Sequence, residues 1–198
     1  MKLYIIRHGE TDWNIVRRLQ GNTDIPLNEN GRELARLTAK ALKDTRLDLI
    51  YTSPLQRAKE TALILKGDRD IPVIEDNRIR EMCFGEYEGC IAKENPDIWR
   101  LFESPEKYVA PENGETLNKL LGRTKSFLDE ITGDENLKDK VILISTHGAA
   151  LRGLLSAIKE TPLEDFWAGG VHKNCAVTIV EKNEKGKLQI IEEAKTYY

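Results

Sequence analysis

Apolar and polar positions fall in blocks along this chain. Leu3–Ile6 and Val141–Ile144 are apolar throughout and rich in β-branched residues. Such runs mark strands covered on both faces, as in a parallel sheet. Asp48–Thr52 and Ile71–Glu75 read as further short strands, and Arg78–Met82 as an extended segment. Elsewhere apolar residues recur every three or four positions. Leu34, Leu37, Ala41 and Leu42 do so within 29–42, and Leu55, Ala58, Ala62 and Leu65 within 53–66. Leu117, Leu120, Leu121, Phe127, Leu128 and Ile131 follow the same rule within 115–131. Each spacing predicts a helix with one buried face. Ser53-Pro54 supplies a hydroxyl cap and a first-turn proline for the second of them. A last helix is expected over 149–158, and a closing hairpin from Ala176–Glu181 and Lys187–Glu192 around Asn183-Glu184-Lys185-Gly186. Strands alternating with helices predict an α/β sandwich, mostly parallel, with the hairpin as an antiparallel edge.

Two stretches escape this pattern. Residues 12–31 are polar and rich in turn formers, a long loop with a helical turn near Asn14–Arg18. Loops of that length are uncommon in compact domains and are often functional. Residues 90–114 are acidic and punctuated by proline, and carry Trp99, Phe102 and Tyr108. They fit a lid, or a surface excursion whose aromatics build a satellite core, and the pattern does not choose between these. The expected organisation is one domain over 1–198, with an insertion at about 88–114.

Composition narrows the class. A formal net charge of −3 offers no basic face for nucleic acid. No run approaches the length of a membrane span, and Leu3–Ile6 is too short for the apolar region of a signal peptide. Cys83, Cys90 and Cys175 are odd in number and scattered, which argues against a disulfide framework or a zinc site and suits a reducing cytoplasm.

The candidate chemistry lies where the strands stop. Two of the chain's three histidines, His8 and His147, each follow a buried strand and precede a glycine. Ligand sites in open α/β sheets gather beyond the carboxyl ends of strands, so a parallel sheet brings both to one edge. Arg7 ends the first strand, and Arg57 lies early in the helix that follows the second. Arginines are planar donors suited to phosphate oxygens, and a neutral imidazole can carry a phosphoryl group covalently. Such a reaction needs an acid for the departing alkoxide, and Glu81, before Cys83-Phe84-Gly85, is a candidate. Taken alone, Glu81 reads more simply as a solvated surface carboxylate, and His172 as a residue bonding loop backbone. Rival motifs fail. The sixth residues after Cys83, Cys90 and Cys175 are Gly89, Pro96 and Glu181, not the arginine of a cysteine phosphatase loop. Gly148 to Gly153 has P-loop spacing, but Leu154 stands where the lysine belongs, and neither HExxH nor GxSxG occurs.

An ordered set of motifs covers nearly the whole chain. It comprises Arg7-His8-Gly9-Glu10-Thr11-Asp12-Trp13-Asn14, Gln20 to Leu27, Thr52-Ser53-Pro54-Leu55-Gln56-Arg57-Ala58 and Glu60-Thr61-Ala62. Glu81, Phe84-Gly85, Glu88-Gly89, Gly114-Glu115 and Ser145-Thr146-His147-Gly148 complete it. In this order the set resembles the histidine phosphatase superfamily, the cofactor-dependent phosphoglycerate mutases and related phosphatases. The resemblance implies a three-layer α/β/α sandwich, no metal and no cofactor. It also implies His8 as the phosphorylated nucleophile and Glu81 as the general acid. Arg7, Arg57 and His147 would hold the phosphoryl group with help from Asn14, and Gln20, Gly21 and the Gly148 backbone would form the pocket wall.

Mutases of this family grip the second anionic end of their substrate with an adjacent arginine pair in the insertion. Here 88–114 offers only Lys93, Arg100 and Lys107 among many acids. The expectation is therefore hydrolysis of a small phosphomonoester, α-ribazole phosphate or a broad range among them. Trp99, Phe102 or Tyr108 would contact the leaving group. Phosphoglycerate mutase and a non-catalytic phosphate-binding module are the alternatives, and whether the chain is a monomer or a homodimer is left open.

Overall fold

A computed structural model describes residues 1–198, and its elements alternate as the apolar blocks require. In chain order they are β1 (Lys2–Arg7), α1 (Asp12–Ile15), α2 (Glu29–Ala41), β2 (Leu49–Thr52), α3 (Gln56–Lys66) and β3 (Val73–Glu75). Then follow α4 (Pro96–Glu103), α5 (Leu117–Gly133), β4 (Val141–Thr146), α6 (Gly148–Lys159), β5 (Val177–Lys182) and β6 (Leu188–Lys195). The strands form one sheet in the order β3-β2-β4-β1-β5-β6. The first four are mutually parallel, and β5 and β6 run antiparallel as the predicted edge.

Alternation along the strands divides the core into two layers. Leu3 and Ile5 of β1, with Ile142 and Ile144 of β4, face Phe127, Leu128 and Ile131 of α5 and Leu151, Leu154 and Leu155 of α6. Tyr4 and Ile6, with Ile50 and Leu143, face Ala35 of α2 and Ala62 and Leu65 of α3. The two innermost strands are thus apolar on both sides, as their unbroken runs predicted. Helices on both faces make the three-layer α/β/α sandwich.

The stretch 88–114 becomes short 3₁₀ turns and α4. Ile98 and Leu101 of α4 join Phe84, Leu117, Leu120 and Phe166 in a third apolar cluster over the carboxyl end of the sheet. Three details depart from the sequence reading. Ser53 does not cap α3, which starts at Gln56; the Gln56 N–H donates to Asp24 Oδ1 at 2.8 Å, so a carboxylate from the long loop caps the helix instead. Residues 78–79 are not extended, because Asp76 accepts from the Arg78 N–H and starts a 3₁₀ turn over Asn77–Ile79, and the chain returns to an extended conformation at Arg80. The helical turn of the first loop falls at 12–15, earlier than 14–18, where Thr11 and Asn14 cap each other.

Candidate active site

Register alone brings the two strand-end histidines together. β1 and β4 pair in parallel through Arg7 opposite Thr146, so the next residues, His8 and His147, stand side by side with ring centroids 5.2 Å apart. β2 pairs with β4 through Thr52 and Ser145, which sets Ser53 at the same edge.

His8 is buried, and its Nδ1 lies 2.6 Å from the Gly9 carbonyl. A carbonyl only accepts, so Nδ1 carries the hydrogen and Nε2 keeps its lone pair. Burial, and then the charges of Arg57 and Arg7, push the His8 pKa well below its ordinary value. The ring is therefore neutral, the state in which imidazole is a nucleophile. His147 is wholly buried, and its Nε2 lies 2.7 Å from Ser53 Oγ. Burial and the neighbouring Arg57 and His8 lower its pKa too.

Arg7 reaches the site because β1 ends there, and its Nη1 donates to the His172 carbonyl. Arg57 is fully buried at the start of α3, and its two terminal nitrogens donate to the carbonyls of Thr23 and Gly21 at 2.9 and 2.7 Å. Burial lowers its pKa to about 10, which still leaves it a cation at neutral pH. Arg7 Nε, Arg57 Nε and His147 Nδ1 are buried without partners. Unpaired buried polar groups are rare and costly, and three of them around His8 suit an anion that would satisfy them.

Glu81 is also brought here. Its Oε1 accepts from the N–H groups of Ala149 and Ala150 at 3.0 and 3.1 Å, so it fills the cap position of α6 that His147 leaves empty. Gly148 lies between the charged groups: a Cβ there would sit 3.5 Å from Glu81 Oε2 and 4.0 Å from Arg7 Nε. Asn14 turns its Oδ1 toward the Thr11 N–H and Asn174 Nδ2, which leaves its amide hydrogens free to donate.

A cavity of about 400 Å³ joins most of these groups. Arg7, His8, Asn14, Gln20, Arg57, Glu81 and Gly148 line it, together with an apolar side of Leu19, Phe84, Phe102, Trp167 and Val171. His147 is not among the lining residues, although its ring lies 5.2 Å from that of His8. Gly21 is off the wall as well, and its part is the carbonyl that Arg57 grips. Of the three insertion aromatics only Phe102 reaches the cavity, stacked between Trp99 and Trp167 at 5.3 and 5.0 Å. His172 does not line it; its backbone holds Arg7 and its ring faces Glu193 at 3.6 Å. No three His, Cys, Asp or Glu side chains gather as metal ligands, and no helix is long and apolar enough to cross a membrane.

Several participants escaped the sequence reading. Ser53 was assigned to a helix cap, although its position just after β2 was a usable signal. Asn174 donates to the carbonyls of His8 and Gly9 from a loop that no local pattern marks. Glu88 accepts from the N–H groups of Asn22, Thr23 and Phe84 and so ties two loops of the cavity together. An adjacent pair of exposed arginines outside 88–114, Arg17 and Arg18, also lines the cavity.

Comparison with known proteins identifies the family of the chain. The family profile "Histidine phosphatase superfamily (branch 1)" matches residues 3–192. The chain is 32% identical over 190 residues to phosphoserine phosphatase 1 of Hydrogenobacter thermophilus, covering 93% of this chain and 88% of the relative. It is 40% identical over 154 residues to the uncharacterized phosphatase PhoE of Bacillus subtilis, covering 78% and 75%. The solved structure of Bacillus stearothermophilus YhfR superposes with a TM-score of 0.90 at 36% identity, over 98% of this chain and 97% of that one.

Proposed function

We propose that this chain, which belongs to the histidine phosphatase superfamily (branch 1), is a phosphoric monoester hydrolase that works through a phosphohistidine on His8. The observation that carries this reading is the hydrogen bond from His8 Nδ1 to the Gly9 carbonyl, which leaves Nε2 as the nucleophile beside unpaired cationic donors. Nε2 attacks phosphorus, and the bond from phosphorus to the ester oxygen breaks. Glu81, entering as the acid, gives its proton to the leaving oxygen. Water then attacks the phosphorus of the phosphohistidine and passes a proton to the Glu81 carboxylate, so His8 is released and orthophosphate departs. Arg7, Arg57 and His147 hold the phosphoryl oxygens, with Asn14 donating its amide hydrogens. Charge on these oxygens grows or shifts in the transition state, and fixed donors meet it without rearrangement. Gln20, the Gly21 backbone and the Gly148 backbone shape the wall. The insertion, with Phe102 facing the cavity, acts as the lid over the leaving group.

A second reading, phosphoglycerate mutase, is favoured by Arg17-Arg18, since an acidic substrate has cations to meet there. The two differ in what accepts the phosphoryl group. The test is hydrolysis of p-nitrophenyl phosphate and a phosphomonoester panel in the presence of a chelator, with His8→Ala alongside and acid-quenched samples assayed for phosphohistidine. We expect turnover in wild type, a loss of at least about 10³-fold in His8→Ala, and label on His8. A long-lived phosphohistidine that transfers to phosphoglycerate instead of water would select the mutase. Equal trace activity in both proteins would select a binding module.

A further inference from the structure

Outside the cavity, a buried cation and a buried imidazole meet a carboxylate that the chemistry above does not use. Arg152 of α6 is 1% exposed; its Nε donates to the Phe166 carbonyl at 2.9 Å, and its Nη1 lies 3.6 Å from Oε1 of Glu193 on β6. The His172 ring is buried too, and its Nε2 stands 3.6 Å from the same Oε1. Lys159 completes the cluster, its Nζ 2.6 Å from Glu193 Oε2. Arg152 Nη1 and His172 Nδ1 have no hydrogen-bond partner. Buried ion clusters are weak devices for stability, since apolar side chains of similar volume often do as well or better. Fixing one arrangement of the chain is a task that suits them more, and here the chain in question is the loop between α6 and β5. Gly169 and Gly170 take φ of +87° and +73°, and among residues 168–173 only His172 is buried. A Cβ at Gly169 would lie 3.8 Å from Arg152 Nη1, so the loop rests against that guanidinium. The same loop brings Trp167 and Val171 to the cavity wall and the His172 carbonyl to Arg7. The one hydrogen bond of the Arg7 guanidinium runs to that carbonyl, so the aim of Arg7, with its unpartnered Nε, depends on where the His172 backbone stands.

We propose that Glu193 is a positioning residue: through Arg152 and the His172 ring it holds the loop in place, and through the His172 carbonyl it aims Arg7 at the phosphoryl group. This inference rests on the phosphomonoester reading for what Arg7 holds, and its test separates the two. Glu193→Gln keeps the size of the side chain and removes its charge. By Coulomb attraction alone, loss of an acid near a cationic site would tighten anion binding, whereas a misaimed Arg7 would weaken it. The test records the arginine Nε–H signals of isotope-labelled protein, with Arg7 and Arg57 identified by the signals lost in Arg7→Met and Arg57→Met. Orthophosphate affinity is measured by calorimetry, and turnover of p-nitrophenyl phosphate by wild type is followed in parallel. Glu193→Gln should shift or broaden the Arg7 signal, leave that of Arg57 in place, and weaken orthophosphate about tenfold. Glu193→Asp, which draws the carboxylate back by one methylene, should act in the same direction to a lesser degree, and is read alone if the first variant does not fold. An unchanged Arg7 signal, equal disturbance of Arg57, orthophosphate binding as tight as or tighter than in wild type, or no binding by wild type overturns the proposal. A selective Arg7 response with weakened orthophosphate, but without turnover by wild type, upholds the positioning role and counts against the hydrolase reading alone.

Discussion

A histidine can attack phosphorus only while one ring nitrogen keeps its lone pair, and the surroundings of His8 hold it in that state. Burial and two nearby arginines oppose protonation of both His8 and His147. The sign for stability follows from linkage. Below the ordinary imidazole value of about 6.5 the unfolded chain takes up protons that the folded chain refuses, so stability is full above that pH and falls below it. The slope approaches about 1.4 kcal/mol per pH unit for each such histidine. Melting temperatures recorded from pH 7 to pH 5 should therefore fall, and His8→Asn should flatten the descent. An equal slope in the variant would mean that His8 is readily protonated in the folded protein. Ser53 belongs to the same scale. Its hydroxyl is the side-chain partner of His147 Nε2, so Ser53→Ala leaves a buried ring nitrogen unpaired, at a cost of about 1–3 kcal/mol. The variant should melt lower and lose turnover by about tenfold or more, with little change in KM, because His147 would act on the transferring phosphoryl group.

At the scale of elements, much of the cavity depends on one carboxylate that joins two loops. Glu88 accepts from Asn22, Thr23 and Phe84, and Arg57 grips the same loop from below through Gly21 and Thr23. Gly21 sits at φ +54° with room for nothing more: a Cβ would lie 2.1 Å from Glu88 Oε1. Gly21→Ala should push Glu88 off the loop and release Arg57 together. We expect a loss of about 2–4 kcal/mol in stability and a raised KM, read by denaturant titration and steady-state kinetics. Unchanged values would show that the loop can move freely from Glu88. This arrangement also explains which parts were legible beforehand. β1 and β4 are unbroken apolar runs, so the sequence alone pointed to a parallel sheet and to His8 and His147 at one edge. Asn14 followed only from family resemblance, and Glu81, a bare candidate from its position, gained its role from it, because the contacts that bring them in come from Ala149, Ala150 and Asn174, more than sixty residues away in each case. Ser53 was misplaced because a hydroxyl before proline is the local sign of a helix cap, while its actual partner is set by strand register.

For the whole molecule the net charge is −3, so its distant field does not attract anions. The cavity nevertheless carries four arginines to one glutamate, and the cationic character is local. With a screening length of about 10 Å at 0.1 M salt, a free anion senses the site only near its mouth. Buried donors without partners should then favour binding once the anion has entered. Orthophosphate, the product of the proposed reaction, should therefore bind the folded protein and not the unfolded chain. At a hundredfold excess over its dissociation constant it would add about 2.7 kcal/mol of stability. In a chain of this size that corresponds to roughly 2–4 °C in melting temperature per kcal/mol. The comparison is a phosphate series against sodium chloride at matched ionic strength, with Arg57→Met as the control. Wild type should melt higher only in phosphate, and the control should show no such gain, since Arg57 holds both the loop and the anion. If chloride raised the melting temperature as much as phosphate does, the donors around His8 would be responding to ionic strength alone, and the covalent mechanism would lose its oxyanion-binding half.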